Sequence, residues 1–273
     1  MQKLLKHAKT RQGQSTLLYL LSLGLLLLLW EGLWLALGES PRRFILPPPL
    51  QVAARFLKLA ADGTLFHHTQ VTLLEMGWGL SAGTAAALLL GYTVAHSTFL
   101  AHFLEPLIVT SQAVPIVALA PLLTIWFGPG IASKAVVCAL IVFFPILINV
   151  IAGLHTIDPY QRDLFLLLEA SRWQQFLHLE VPAALPAFLT GLRVGGTLAA
   201  MGAVVGEFVA SNEGLGYLVK QGQNLYDTPL MFVAILTLTV LALAIYGALS
   251  LIERALLRWR IKQGTTPEAD TTP

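Results

Sequence analysis

Charge is scarce in this 273-residue chain: Asp, Glu, Lys and Arg make up 12% of it, against 56% hydrophobic residues. A soluble globular domain carries about 25% charged residues, and a mean hydropathy of +0.71 excludes that class. Cysteine is nearly absent. Cys138 stands alone, so no disulfide framework or cysteine metal site exists, and its place inside an apolar run marks a small packing residue. No Gly-xxxx-Gly-Lys-Ser/Thr stretch occurs, which removes the loop that cradles nucleotide phosphates. No nucleophile–base pair or metal-ligand cluster stands out among the few polar residues. The chain therefore reads as a non-catalytic one with no cofactor and no metal. His67 and His68 are adjacent, so they point to different helix faces, and no further ligand follows at useful spacing. The net charge of +2 is too small to argue for nucleic acid.

What the chain has in quantity is apolar length. Runs near 16–37, 71–96, 101–127, 131–154, 187–210 and 229–252 each approach or exceed the roughly 20 residues that cross a hydrocarbon core of about 30 Å. The fold class expected is all-α, a polytopic protein of six membrane helices solvated by lipid. Lys3, Lys6, Lys9 and Arg11 precede the first run, and Arg254, Arg258, Arg260 and Lys262 follow the last. The positive-inside rule then puts both termini in the cytoplasm. The first run is too long for the 7–15-residue apolar core of a signal peptide, so an uncleaved span is expected. The organisation expected is a basic N-terminus at 1–15, a first span at 16–38 and an external loop with a short amphipathic helix at 39–69. A five-helix core at 70–254 and a basic, disordered tail at 255–273 follow.

Small residues and prolines punctuate the spans. Gly79 and Gly83 in the second, and Gly191/Gly195 and Gly202/Gly206 in the fifth, stand four apart, the spacing that lets helix backbones approach. Pro106, Pro115 and Pro121 fall in the third. Each removes an amide donor and frees a carbonyl, which in lipid needs a neighbouring helix or a water-lined path. Arg193 lies near one end of the fifth span, where it can snorkel.

One polar stretch, residues 155–186, interrupts the apolar pattern between the fourth and fifth spans. Asp158-Pro159 is a turn signal and Pro182 and Pro186 close the stretch. Between them Ala170, Trp173, Phe176 and Leu177 recur at three- and four-residue spacing, the mark of an amphipathic helix. Such a helix suits docking on a soluble partner, and it equally suits a solvated connector.

At these residues a resemblance enters. ASRWQ followed by VPAALPAFLTGLRVG resembles the EAA loop that ABC-importer permeases present to their ATPase. SQAVPIVALAPLLTIWFG (Ser111–Gly128), IVFFPILINVIAGL (Ile141–Leu154) and GEFVASNEGLGYLV (Gly206–Val219) extend it, from about Leu46 to Arg260. The sequence is most similar to the nitrate/taurine/aliphatic-sulfonate branch and its relatives that import thiamine pyrimidine precursors or riboflavin; Glu75 looks familiar in the latter. The resemblance implies a type I ABC importer permease fold in a prokaryotic plasma (inner) membrane. It implies a second permease copy, two ATP-binding subunits and a periplasmic or lipid-anchored substrate-binding protein. Its coupling loop falls on Asp163, Glu169, Ala170, Ser171, Arg172, Trp173, Phe176, Leu177, Pro182 and Pro186. Pro115, Pro121, Gly191, Gly195, Gly202 and Gly206 are the pathway or packing residues. The family's Glu-Ala-Ala falls on Asp163, Leu164 and Phe165, and its glycine on Glu169, so an altered backbone path is expected there. A thiamine-pyrimidine-like or riboflavin-like cargo is favoured over sulfonate, taurine or nitrate. The rival reading, a self-sufficient ion-coupled secondary transporter, needs ionisable residues inside the spans, and the apolar runs nearly lack them.

Overall fold

The computed structural model describes residues 21–22, 24–36 and 46–258; Lys3, Lys6, Lys9, Arg11, Arg260, Lys262 and most of the tail expected at 255–273 lie outside them. No strand occurs among the described residues. The helices are α1 (Gly24–Ala36), α2 (Pro49–Ala61), α3 (Thr64–Ala95), α4 (Thr98–Gln112), α5 (Ile116–Phe127) and α6 (Ile131–His155). After them come α7 (Pro159–Leu167), α8 (Arg172–Gln175), α9 (Val181–Ala210), α10 (Leu215–Leu225) and α11 (Thr228–Leu256). Helices α3, α6, α11 and the continuous run Arg172–Val209 are each long and apolar enough to cross a membrane. The chain is an all-α polytopic membrane protein.

Two span boundaries differ from the sequence reading. The third span is a bent pair: α4 and α5 meet at 96°. Pro115 is the cause, because it has no amide to continue the ladder and it drives Val114 out of helical backbone. Pro106 and Pro121, by contrast, sit inside α4 and α5. The second span begins earlier than expected, so residues 64–69, expected in the external loop, are the first turns of α3.

The described residues up to Leu65, with Val219–Ala234, form one compact unit, and Phe66–Leu218 with the residues from Ile235 onward form another. In the first, α2 starts on Pro48-Pro49 and buries Val52 and Leu59. Arg55 reaches Asp227 Oδ2 at 2.6 Å, and the other oxygen of Asp227 accepts from the Leu230 amide at 3.0 Å, capping α11. Trp30 Nε1 donates to the Pro47 carbonyl at 3.0 Å and its ring lies 5.3 Å from that of Phe232.

In the second unit α6 is the central helix. Its buried face runs through Lys134, Val137, Cys138, Val142, Ile146, Leu147, Val150 and Leu154, and two glycine-bearing helices press on it. A Cβ at Gly202 of α9 would stand 2.7 Å from Cys138 Cα, and one at Gly79 of α3 would stand 2.9 Å from the Ala135 carbonyl oxygen. Gly191, Gly195 and Gly206 meet Asn149, Ile146 and Lys134 in the same way, at 2.7, 3.1 and 3.1 Å. Four of the five glycines of α9 therefore line one seam against α6 of the same chain, with room only for hydrogen at Gly191 and Gly202. Cys138, a buried free thiol, sits between the two glycine helices. Arg193 Nη1 pairs with Glu253 Oε2 of α11 at 2.9 Å, and its guanidinium lies over the Tyr246 ring.

Candidate functional site

The polar stretch 155–186 folds as two helical pieces. Asp158 caps α7, its carboxylate accepting from the Tyr160 amide at 2.9 Å, with Pro159 at the first helical position where its missing amide is harmless. The helix ends in a Schellman motif: the Ala170 amide donates to the Phe165 carbonyl and the Glu169 amide to Leu166, both at 3.0 Å. Glu169 has φ +51°. That is the left-handed region, which favours glycine, so the glycine lost from the family pattern is replaced by a residue held under strain. A left-handed L-residue costs about 1–2 kcal/mol.

Ser171 and Gln174 then form a capping box: the Gln174 amide donates to Ser171 Oγ at 3.3 Å, and the Ser171 amide to Gln174 Oε1 at 2.7 Å. The helix that starts there does not end before Pro182, as a separate docking helix would. It passes through one π-helical turn, Phe176–Glu180, into α9, so Arg172–Val209 is one run. Pro182 and Pro186 lie within its first turns, half-buried. The spacing of Ala170, Trp173, Phe176 and Leu177 serves two surroundings. Trp173 is 66% exposed and Leu177 41%, whereas Phe176 turns inward, with its ring edge-on to Tyr92 of α3 at 5.6 Å. Arg172, Ser171, Asp163 and Glu169 are exposed and Ala170 half-buried.

The larger exposed apolar surface is on α7, which pattern reading passed over. Tyr160, Leu164, Leu166, Leu167 and Leu168 are between 52% and 83% exposed, while Phe165 packs on the core. Five large apolar side chains outside the long apolar helices, beside an exposed Trp173, make a surface suited to a soluble partner.

A second polar assembly lies where α3, the N-terminal end of α6 and the C-terminal end of α9 meet. Glu75 and Glu207 are fully buried and Lys134 nearly so. Lys134 Nζ stands 2.9 Å from Glu75 Oε1 and donates to Ser211 Oγ at 2.6 Å. Thr72 Oγ1 donates to Glu207 Oε1 at 2.6 Å and accepts from the Leu215 amide at 2.8 Å. The Gly214 amide donates to His68 Nδ1 at 2.9 Å. Glu207 Oε2 accepts from the Gly216 amide and, at 3.3 Å, from Tyr217, so it caps the start of α10. Gly214 has φ +106° and its Cα faces the Glu207 carboxylate, with no room for a Cβ. The stretch GEFVASNEGLGY is thus tied to α3 and α6 by buried polar groups, which satisfies backbone amides that lipid could not. Sequence reading put the few charges of the spans near their ends, where Lys134 and Glu207 indeed stand in α6 and α9; what it did not show is that Glu75, Lys134 and Glu207 meet as one buried cluster. Pro115 and Pro121 lie on exposed parts of the bent pair, away from this assembly in sequence.

The chain matches the family described as binding-protein-dependent transport system inner membrane component over residues 83–258. It is 44% identical over 238 residues, 87% of this chain and 88% of the other, to the riboflavin transport system permease protein of Chloroflexus aurantiacus. It is 36% identical over 239 residues, 88% of this chain and 94% of the other, to the formylaminopyrimidine transport permease protein of Halalkalibacterium halodurans. A crystal structure of an amino acid ABC transporter with histidines shares the fold, with a TM-score of 0.58 over 73% of this chain and 98% of that one at 18% identity.

Proposed function

Because the chain belongs to the family of binding-protein-dependent transport system inner membrane components, as the permease subunit of an ABC importer, we propose that it draws its drive from a separate ATPase subunit docked on 155–186. The observation that carries this reading is the exposed apolar surface of α7 and Trp173. Helix-in-groove contacts use an apolar face of this kind, and Trp is a common interface anchor. ATP is hydrolysed by the partner, and closure of the ATPase pair is delivered through α7 and α8 to the spans. Two permease copies and a substrate-binding protein, periplasmic or lipid-anchored, complete the assembly. Both termini face the cytoplasm of a prokaryote, in its plasma (inner) membrane.

The cargo is a heteroaromatic vitamin or vitamin precursor, riboflavin or a formylaminopyrimidine, in keeping with the two similar permeases; sulfonate, taurine and nitrate rank below it. Glu75, Lys134 and Glu207 are the type of residue an ion-coupled secondary transporter needs. Here they are engaged with one another and with the α9–α10 turn, which favours a structural use.

Trp173→Ala tests the docking surface. Loss of co-purifying ATPase subunit at normal permease level supports it, with an expected cost of about 2 kcal/mol or more in association. A normal level with undiminished ATPase binding overturns it. For the cargo, cells lacking their own uptake systems and expressing the permease with its ATPase and binding protein should accumulate labelled riboflavin or formylaminopyrimidine. Accumulation of taurine instead would reverse the assignment.

A further inference from the structure

A π turn is a weak place in a helix. It widens the ladder by one residue and recurs at functional positions, and here it lies between the docking segment and α9. Movement applied at Trp173 would be absorbed there by bending, unless something stiffens it. The last turn of α3 meets both ends of the π turn. At its start, Phe176 is stacked on Trp173 at 5.5 Å and edge-on to the Tyr92 ring. At its end, Glu180 Oε2 accepts from Tyr92 Oη at 3.0 Å, and Oε1 lies 2.7 Å from His96 Nε2. Tyr92 and His96 are themselves joined, ring to ring at 4.2 Å and through the Tyr92 carbonyl to His96 Nδ1 at 2.8 Å.

We propose that Glu180, Tyr92 and His96 are positioning residues that brace the π turn, so that ATPase-driven movement at α7 and Trp173 reaches the spans as a rigid displacement. The brace rests on the docking reading given above. Its chemistry is that of a carboxylate held from two sides by a hydroxyl and an imidazole on one helical turn. Charge-assisted bonds of this kind are short and directional. Phe176 and Glu180 are four residues apart, so fixing both on α3 leaves the turn between them no freedom to wind or unwind.

The test uses the complete transporter in lipid nanodiscs, with one of its two permease copies carrying spin labels on cysteines introduced at Arg162 of α7 and Leu89 of α3. Both positions are exposed, and the native Cys138 is buried. The α7-to-α3 distance is measured without nucleotide and after trapping with ATP and vanadate. The braced chain gives one narrow distance in both states. Glu180→Gln and Tyr92→Phe, the latter removing a single hydroxyl, should keep the ATPase subunit bound and gain a second distance only in the trapped state. A purely structural role would alter the distance in both states and lower the membrane level. Combining the two substitutions should add little to either, since they break one unit. A single unchanged distance in both variants, with the ATPase bound, overturns the brace alone. Undiminished ATPase binding in Trp173→Ala overturns the docking reading and the brace with it.

Discussion

Lys134→Met removes the ammonium that faces Glu75 while keeping an unbranched apolar stem of similar length. At 2.9 Å the pair interacts by about 6 kcal/mol at an effective dielectric constant of about 20, before desolvation is subtracted. Most of that offsets the cost of burial, so the net contribution of the pair is small. Breaking it is another matter: the variant leaves Glu75, fully buried, without its cation, and Ser211 Oγ without its donor. Removing one partner of a buried pair costs about 3–5 kcal/mol, which for a chain of this size lowers Tm by about 6–20 °C. Adding Glu75→Gln to Lys134→Met should recover most of the loss, because an apolar or neutral replacement of a whole buried pair is close to neutral. Thermal unfolding of the detergent-purified permease, followed by the monodisperse fraction that survives heating, reads both variants. A single variant within about 1 kcal/mol of the parent, or a double variant worse than the single, would refute the assignment of Lys134 as the counter-ion.

Three further outcomes follow from the geometry. Glu169→Gly should raise stability by up to about 1 kcal/mol, since relief of the left-handed strain is partly offset by glycine's looser unfolded chain; Glu169→Val should lose more than that in the same thermal assay. Gly202→Leu would drive a side chain into the Cys138 backbone and should cost about 1–3 kcal/mol by overpacking, read as lower thermal survival, with an unchanged Tm counting against the α6–α9 seam. A reporter fused after residue 273 should be active only when it is a cytoplasmic reporter, and activity of a periplasmic one would reverse the orientation and move 155–186 away from any ATPase.

The long spans were legible because lipid demands length and apolarity in one contiguous run; the elbow at Pro115 was not, because Pro106, Pro115 and Pro121 each lack an amide and only one of them breaks the helix. Partnership was harder. Ala170, Trp173, Phe176 and Leu177 share a helical spacing, yet that spacing says only which residues lie near one face. Phe176 found its partner in Tyr92, more than eighty residues earlier, while Trp173 stayed exposed. The exposed apolar surface on α7 escaped because Leu164, Leu166, Leu167 and Leu168 run nearly continuously and have no clean period. Glu75, Lys134 and Glu207 each looked like an isolated charge near a span end, since the contacts that unite them join three separate helices. At Glu169 a lost glycine suggested a new backbone path, and the chain instead keeps a left-handed residue there with a full Schellman pattern around it.

The polar assembly around Lys134 also sets an order of events during synthesis. Glu75 is made first, Lys134 next, and Glu207 a further 73 residues later, which at ribosomal speed is about 4–15 s. For that interval the membrane holds α3 and α6 without α9. The two residues then present are of opposite sign, so the early intermediate is charge-balanced in lipid and has no need to wait. Glu207, the late arrival, comes into a place where the ammonium is already engaged. It is followed within nine and ten residues by the Gly216 and Tyr217 amides that it accepts, so the carboxylate brings its own donors into the bilayer as the chain emerges.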